Sequence, residues 1–148
     1  MAVSEARPYL TFRVGQQWYG VGLESVHQVL HFMELDEMPA TAPDVLGMMT
    51  LRDLVMPVID LRRRFGLPQA DIKLDTPIIA IWTDGGEPIG IVVDDADTVE
   101  EISDSQLVPH SGGKSRYVAA VAKLPDRLLF LLDTTAVLPE AASKGNGS

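Results

Sequence analysis

Gly47-Met-Met-Thr-Leu-Arg-Asp-Leu-Val-Met-Pro-Val-Ile-Asp60 reads as an apolar hairpin that ends in an acid. Two runs rich in Val, Ile, Leu and Met flank Arg52-Asp53, a two-residue turn. The same plan returns at a constant offset in Ala120–Asp133, where Leu124, Asp126 and Asp133 take the places of Leu51, Asp53 and Asp60. A second match sets Gly20 in Tyr-Gly-Val against Gly90 in Ile-Gly-Ile. Each half then reads hairpin, connection, hairpin. Repetition on this scale predicts two similar small β units packed side by side. Units of about 65–70 residues are marginal alone by surface-to-volume scaling, so each needs the other's surface.

Outward from that stretch the pattern continues. Tyr9–Val14 and Trp18–Val21 flank Gly15-Gln16-Gln17. Pro77–Thr83 and Pro88–Val93 flank Asp84-Gly85-Gly86-Glu87, the strongest turn signal, because glycine accepts positive φ. Helical spacing is scarce. Leu23, Val26, Val29 and Leu30 recur at helix intervals, which predicts a short helix over Leu23–His31. Thr134–Leu138 reads as a closing helical turn, and residues 1–8 and 141–148 as flexible termini. The expected class is all-β with one or two short helices.

Composition narrows the function. The chain has 148 residues, with 12 Lys and Arg against 21 Asp and Glu, for a net charge of −9. Such a surface repels phosphate backbones and anionic membranes, which disfavours a nucleic-acid-binding barrel. There is no cysteine, so disulfides, thiolate metal sites and a Cys nucleophile are excluded. The apolar runs are too short to span a bilayer, and the first residues lack a signal-peptide core. The expectation is a cytoplasmic protein without direct membrane insertion.

No motif builds a convincing catalytic site. Asp60 and Asp133 could do acid–base work, and with His110 they would make a small hydrolase or phosphatase. Their place just past a strand and before a helical turn fits structural capping of backbone N–H groups instead. Asp94, Asp95, Asp97, Glu100 and Glu101 lack the turn glycine of a calcium loop and read as a solvated acidic rim. His27 and His31 have the four-residue spacing of two zinc ligands on a helix, without a third ligand. Ser103, Ser105 or Ser111 with His110 lacks a nucleophile elbow. Gly112-Gly113-Lys114-Ser115 has Val108 where a phosphate loop needs its first glycine. Arg62, Arg63 and Arg64 read as a solvated helix face or a partner contact. Arg52, at a hairpin tip beside Asp53, is either an exposed turn residue or an Arg displayed for protein recognition.

The run Val45 to Gly66, with Leu51-Arg52 followed by Pro57-Val-Ile-Asp-Leu-Arg62 and Phe65, resembles the central signature of the CheW-like chemotaxis coupling proteins. Tyr19-Gly20, the prolines Pro39 and Pro43, Gly90-Ile-Val-Val-Asp94 and Asp126–Asp133 agree in order and spacing. The resemblance covers about Tyr9 to Leu138, nearly the whole chain. It implies two five-stranded SH3-like β-barrels in one domain over 9–138, drawn here as 9–70 and 75–138. It also implies a non-enzymatic adaptor with no cofactor or metal. Its partners would be the cytoplasmic tip of methyl-accepting chemoreceptors and the regulatory domain of a CheA-type histidine kinase, at receptor arrays on the inner membrane. Carried over by position, Val26, Val29 and Arg52 match the family's partner-binding positions, and Asp53 adjoins them.

The chain also departs from the family pattern. Asn-Leu-Arg-Gly is Thr50-Leu51-Arg52-Asp53, which sets a carboxylate beside the key arginine. Asp95 and Ala120 stand where glycines are common, and Gln28 where Glu is common. These changes bear on which receptor and kinase are recognised, flagellar or, as a variant, a type IV pilus system.

Overall fold

The hairpins form where the turn residues bracket them. The computed structural model describes residues 6–37, 44–68, 71–108 and 117–137. Among these, β1 (Ala6–Val14) and β2 (Gln17–Gly22) flank Gly15, whose φ of +64° turns the chain. Three further hairpins follow the same logic: β4 (Val45–Leu51) with β5 (Leu54–Asp60), β6 (Pro77–Trp82) with β7 (Pro88–Val92), and later β10 (Val118–Lys123) with β11 (Leu128–Leu132). Between them lie β3 (Val26–His31), β8 (Asp95–Ser103) and the two-residue β9 (Leu107–Val108). The helix α1 (Leu61–Arg64) and three short 3-10 turns complete the described elements.

Strand pairing makes two sheets, ordered β8-β1-β2-β11-β10-β9 and β3-β6-β7-β5-β4. Each closes on itself, as a small barrel does to remove its edges. In the first, Asp104–Gln106 carries the chain from β8, at one edge, into β9, at the other. In the second, Asp36, downstream of β3, bridges Met48 of β4 through N–H···O bonds of 2.9 and 2.8 Å. Gly47 permits this approach, since a Cβ there would lie 2.6 Å from the Asp36 carbonyl oxygen. We call them the terminal barrel, which holds the first and last strands, and the central barrel.

The internal repeat is real in register. Val45 pairs Ile59 and Gly47 pairs Val58 across a bulge; at the matching positions of the second copy, Val118 pairs Leu132 and Ala120 pairs Leu131 across another. β5 runs parallel to β7 at Val58–Gly90, as β11 runs parallel to β2 at Leu131–Gly20. These parallel pairs correct the division into 9–70 and 75–138. The β1–β2 hairpin joins the later strands, and the β6–β7 hairpin joins the earlier ones. The two repeats have exchanged hairpins.

Three apolar cores follow. One lies inside the central barrel around Met49, Met56, Val58, Ile78 and Val92, and one inside the terminal barrel around Ile102, Leu124 and Leu129. The largest is shared, with Phe12 and Val14 of one barrel against Ile59, Ile79 and Ile91 of the other. In β6, Ile78 and Ala80 face inward while Ile79 and Ile81 face the shared core. Both faces are buried, which explains the unbroken apolar runs.

Two expectations change. Leu23–His31 is a 3-10 turn followed by β3, not a helix. A bulge between Val26 and Gln28 shifts the strand's alternation by one and imitates helical spacing. Residues 6–8 are paired strand against Ser103, Ile102 and Glu101, not a flexible terminus. The segments 1–5 and 138–148, and with them the C-terminal tail, lie outside the described residues, as do His110, Ser111 and Gly112–Ser115.

Candidate functional site

The bulge in β3 decides where its valines point. Val26 pairs Ile81 and Val29 pairs Ile79, and both isoleucines belong to the shared core. Val26 and Val29 therefore occupy the face turned toward the other barrel. Val26 packs on the shared core, whereas Val29 is 43% exposed. The repeat supplies counterparts at the offset that relates Gly20 to Gly90. In β8, Ala96 pairs Phe12 and Val99 pairs Leu10, again across a bulge. Ala96 packs on the shared core and Val99 is 49% exposed. The family resemblance implies Val26 and Val29 but not Val99, which the same repeat offset applied to Val29 identifies.

The second feature is the β4–β5 tip. Leu51 pairs Leu54, and both pack against the central core, so the two intervening residues are held outward. Arg52 has φ of +59°, the only positive φ at a described residue other than glycine. Asp53 does not share it. Both side chains are exposed, and no hydrogen bond or ion pair among the described residues joins them to each other or to a neighbour. Val55, two residues on, is 56% exposed. The equivalent tip of the terminal barrel is tied down. Arg127 there reaches both Asp126 and Glu100 and lies 4.8 Å over the Trp18 ring.

Asp60 is committed to structure. It is 1% exposed, and its Oδ1 accepts from Arg62 N at 3.0 Å and from Arg62 Nε at 2.9 Å; Arg62 Nη2 donates to Oδ2 at 3.2 Å. Burial works to push the Arg62 guanidinium down, but the hydrogen bonds and charges of Asp60 and then Asp94 outweigh it and hold it above its ordinary value. This corrects the reading of Arg62–Arg64 as a solvated face: Arg62 is 3% exposed, and Arg64 pairs with Asp44. Asp133 accepts from Thr135 N at 3.1 Å and from Ala136 N at 3.4 Å, at the start of the Thr134–Val137 turn.

The remaining candidates separate. The acidic stretch is not uniformly solvated, since Asp94 binds Arg62 and Gly15 N, and Glu100 binds Arg127. His27 and His31 lie on a strand, where four residues span about 13 Å, too far for one metal. Among the described residues no group of three His, Asp or Glu is placed to hold a metal ion, and no helix is long and apolar enough to cross a membrane. At the barrel junction, Tyr19 stacks among Phe12, Phe65 and Phe130, with Tyr117 against Phe65, and burial pushes the Tyr19 phenol up.

By fold class the chain is two barrels joined through a shared core, with Asp60, Asp94 and Asp133 engaged in caps and ion pairs and with Val29, Val99 and Arg52 exposed. The comparison with known proteins makes the class particular. A CheW-like domain matches residues 8–142, so the chain belongs to the CheW-like family. It is 30% identical to the chemotaxis protein CheW of Bacillus subtilis, over 91% of this chain and 88% of the relative. It is 25% identical to that of Klebsiella aerogenes, over 88% and 80%. The crystal structure of the scaffolding protein TtCheW from Thermoanaerobacter tengcongensis superposes with a TM-score of 0.81 at 25% identity, covering 97% of this chain and 96% of that one. The chain is thus a chemotaxis coupling adaptor and not an enzyme. The hydrolase reading of Asp60 and Asp133 is not favoured. The family couples chemoreceptors to a CheA-type kinase.

Proposed function

We propose that this chain binds the cytoplasmic tip of a methyl-accepting chemoreceptor and the regulatory domain of a CheA-type kinase on separate surfaces. The receptor takes the exposed Val29 and the repeat-related Val99 beside the shared core, with the half-buried Val26 at the edge of that surface. The kinase takes the Arg52-Asp53 tip with Val55. The assembly is cytoplasmic and is recruited to receptor arrays at the inner membrane. The observation that carries the reading is Arg52, exposed, at φ of +59° and without a hydrogen-bond or ion-pair partner among the described residues, at the tip whose counterpart is tied down.

Burial of exposed valines drives receptor docking at roughly 25 cal/mol per Å² before association costs. Two weak contacts on one rigid body raise the effective concentration of kinase near receptor. If the complex binds one kinase conformation better than another, coupling also sets kinase activity.

Reconstitution with the kinase and receptor from the same genome tests this. Arg52→Ala is expected to keep the melting temperature and weaken kinase recruitment, leaving receptor binding intact. Val29→Asp is expected to do the reverse. Full recruitment by Arg52→Ala would reduce Arg52 to a turn residue and remove the kinase surface.

A further inference from the structure

The chain passes between the barrels twice among the described residues. It crosses through Leu23–Ser25, from β2 to β3, and again at Val93–Asp94, from β7 to β8. The crossings are themselves repeat-related, for Glu24 and Asp94 stand at the same offset as Gly20 and Gly90. They are nevertheless built differently. Glu24 is exposed, and no hydrogen bond or ion pair among the described residues engages its side chain.

Asp94 is tied on both sides of the junction. Its Oδ2 accepts from Gly15 N at 2.7 Å, and its own N–H donates to the Arg13 carbonyl at 2.9 Å. Both partners belong to the β1–β2 hairpin of the terminal barrel. Its Oδ1 accepts from Arg62 Nη1 at 3.3 Å, in the central barrel. Arg62 is fixed in turn by Asp60, and Arg13 Nη1 closes the set on the Gly15 carbonyl at 2.9 Å. Gly15 suits the role twice over. Its φ is +64°, and a Cβ would meet Leu67 Cδ1, beyond α1, at 2.8 Å. The counterpart tie, from the β6–β7 turn, is a single neutral bond from Asp84 N to Thr134 Oγ1 at 3.2 Å.

The shared core holds the barrels together, but apolar burial has no preferred direction. Burial alone therefore discriminates only weakly among small rotations of one barrel on the other. Directional, charge-assisted hydrogen bonds discriminate among them. We propose that Asp94, braced by Arg62, is an inter-barrel latch: a positioning residue that selects one orientation of the two barrels and so fixes the geometry between the two docking surfaces. The latch stands on the geometry of the chain alone; only its use in coupling rests on the adaptor reading.

The test uses the isolated full chain, so its failure is separable from failure of the partner assignments. The chain has no cysteine, so Thr50→Cys in the central barrel and Lys123→Cys in the terminal barrel, both exposed, take spin labels uniquely. Electron–electron distance distributions are then compared. The parent is expected to give one narrow distance. Asp94→Ala broadens it about two-fold or more, and Glu24→Ala leaves it unchanged. A folded Asp94→Ala chain with the parent's distribution overturns the latch, and so does equal broadening by Glu24→Ala. Should Asp94→Ala not fold, Asp94→Asn is measured. Its amide oxygen still accepts from Gly15 N but has lost the ion pair with Arg62, and it is expected to broaden the distribution to a lesser degree. An unchanged distribution in Asp94→Asn, or failure of both variants to fold, also overturns it, because a latch is dispensable to the barrels themselves.

Discussion

Replacing Arg52 with glycine should make the protein more stable. Arg52 occupies φ of +59° at the β4–β5 tip, where an L-residue crowds its own backbone at a cost of about 1–2 kcal/mol. Glycine has no Cβ and relieves this, but it gains freedom in the unfolded chain, worth about 0.5–1 kcal/mol. The net expectation is about 0.5–1 kcal/mol of added stability, or about 2–3 °C in melting temperature for a chain this size. Nothing offsets it, because no ion pair or hydrogen bond among the described residues engages the Arg52 side chain. Two controls isolate the backbone term. Arg52→Ala removes the charge and keeps the strain, so its melting temperature should stay with the parent. Asp53→Gly meets no positive φ and should lose about 0.5 kcal/mol through unfolded-state entropy. Differential scanning calorimetry on the four chains decides the matter. If Arg52→Gly melts at or below the parent, or if Asp53→Gly is the stabilising change, the turn strain is misplaced. Both Arg52 variants should lose kinase recruitment alike, which would separate the cost of holding the side chain out from what it does there.

Three further outcomes follow from buried groups. Asp60→Asn leaves the buried Arg62 with Asp94 as its one remaining carboxylate partner among the described residues and should cost about 3 kcal/mol, whereas Asp133→Asn, at a half-buried cap, should cost under about 1 kcal/mol; equal losses in urea melts would contradict the asymmetry. Gly47→Ala sets a Cβ against the Asp36 carbonyl at 2.6 Å and should destabilise by about 1–3 kcal/mol, with faster amide exchange at Asp36 and Met48. Tyr19 has its phenol raised by burial, so the stability it confers is fully present below the free-tyrosine value near 10 and is lost as pH rises through the folded value. Tyr19→Phe should delete the late component of the tyrosinate absorbance titration and flatten the alkaline loss of stability; an unchanged titration curve would count against the burial argument.

What was legible in the sequence depended on whether its cause was local. The β4–β5 and β10–β11 hairpins could be read from turn residues and from a constant offset that survives in their pairing register. Asp60 and Asp133 were readable as caps because a cap is a contact between neighbours. The β3 segment was misread for an equally local reason: Val26 and Val29 are three apart and face the same way in a helix, and a single bulge makes them face the same way in a strand. Arg62 failed for the opposite reason. An arginine in a run of three looks solvated, and its burial depends on Asp94, far along the chain, which in turn depends on Gly15 in the other barrel.

The hairpin exchange explains why the division at residue 70 could not have been seen. The β1–β2 and β6–β7 hairpins carry similar apolar patterns and could each complete either barrel as far as burial alone decides. Their choice is made by parallel pairings, β2 with β11 and β7 with β5, between strands that the sequence does not mark as partners. Once made, the choice binds the two repeats more tightly than side-by-side packing would. Neither barrel can lose its exchanged hairpin without opening, and each hairpin turn is tied across the junction, Gly15 through Asp94 to Arg62 and Asp84 to Thr134. For an adaptor this matters beyond stability. A linker between partners transmits a defined geometry only if its own two halves cannot drift, and an exchange of hairpins makes the chain connectivity itself resist that drift. The ion network around Asp94 then needs to set only the remaining rotation.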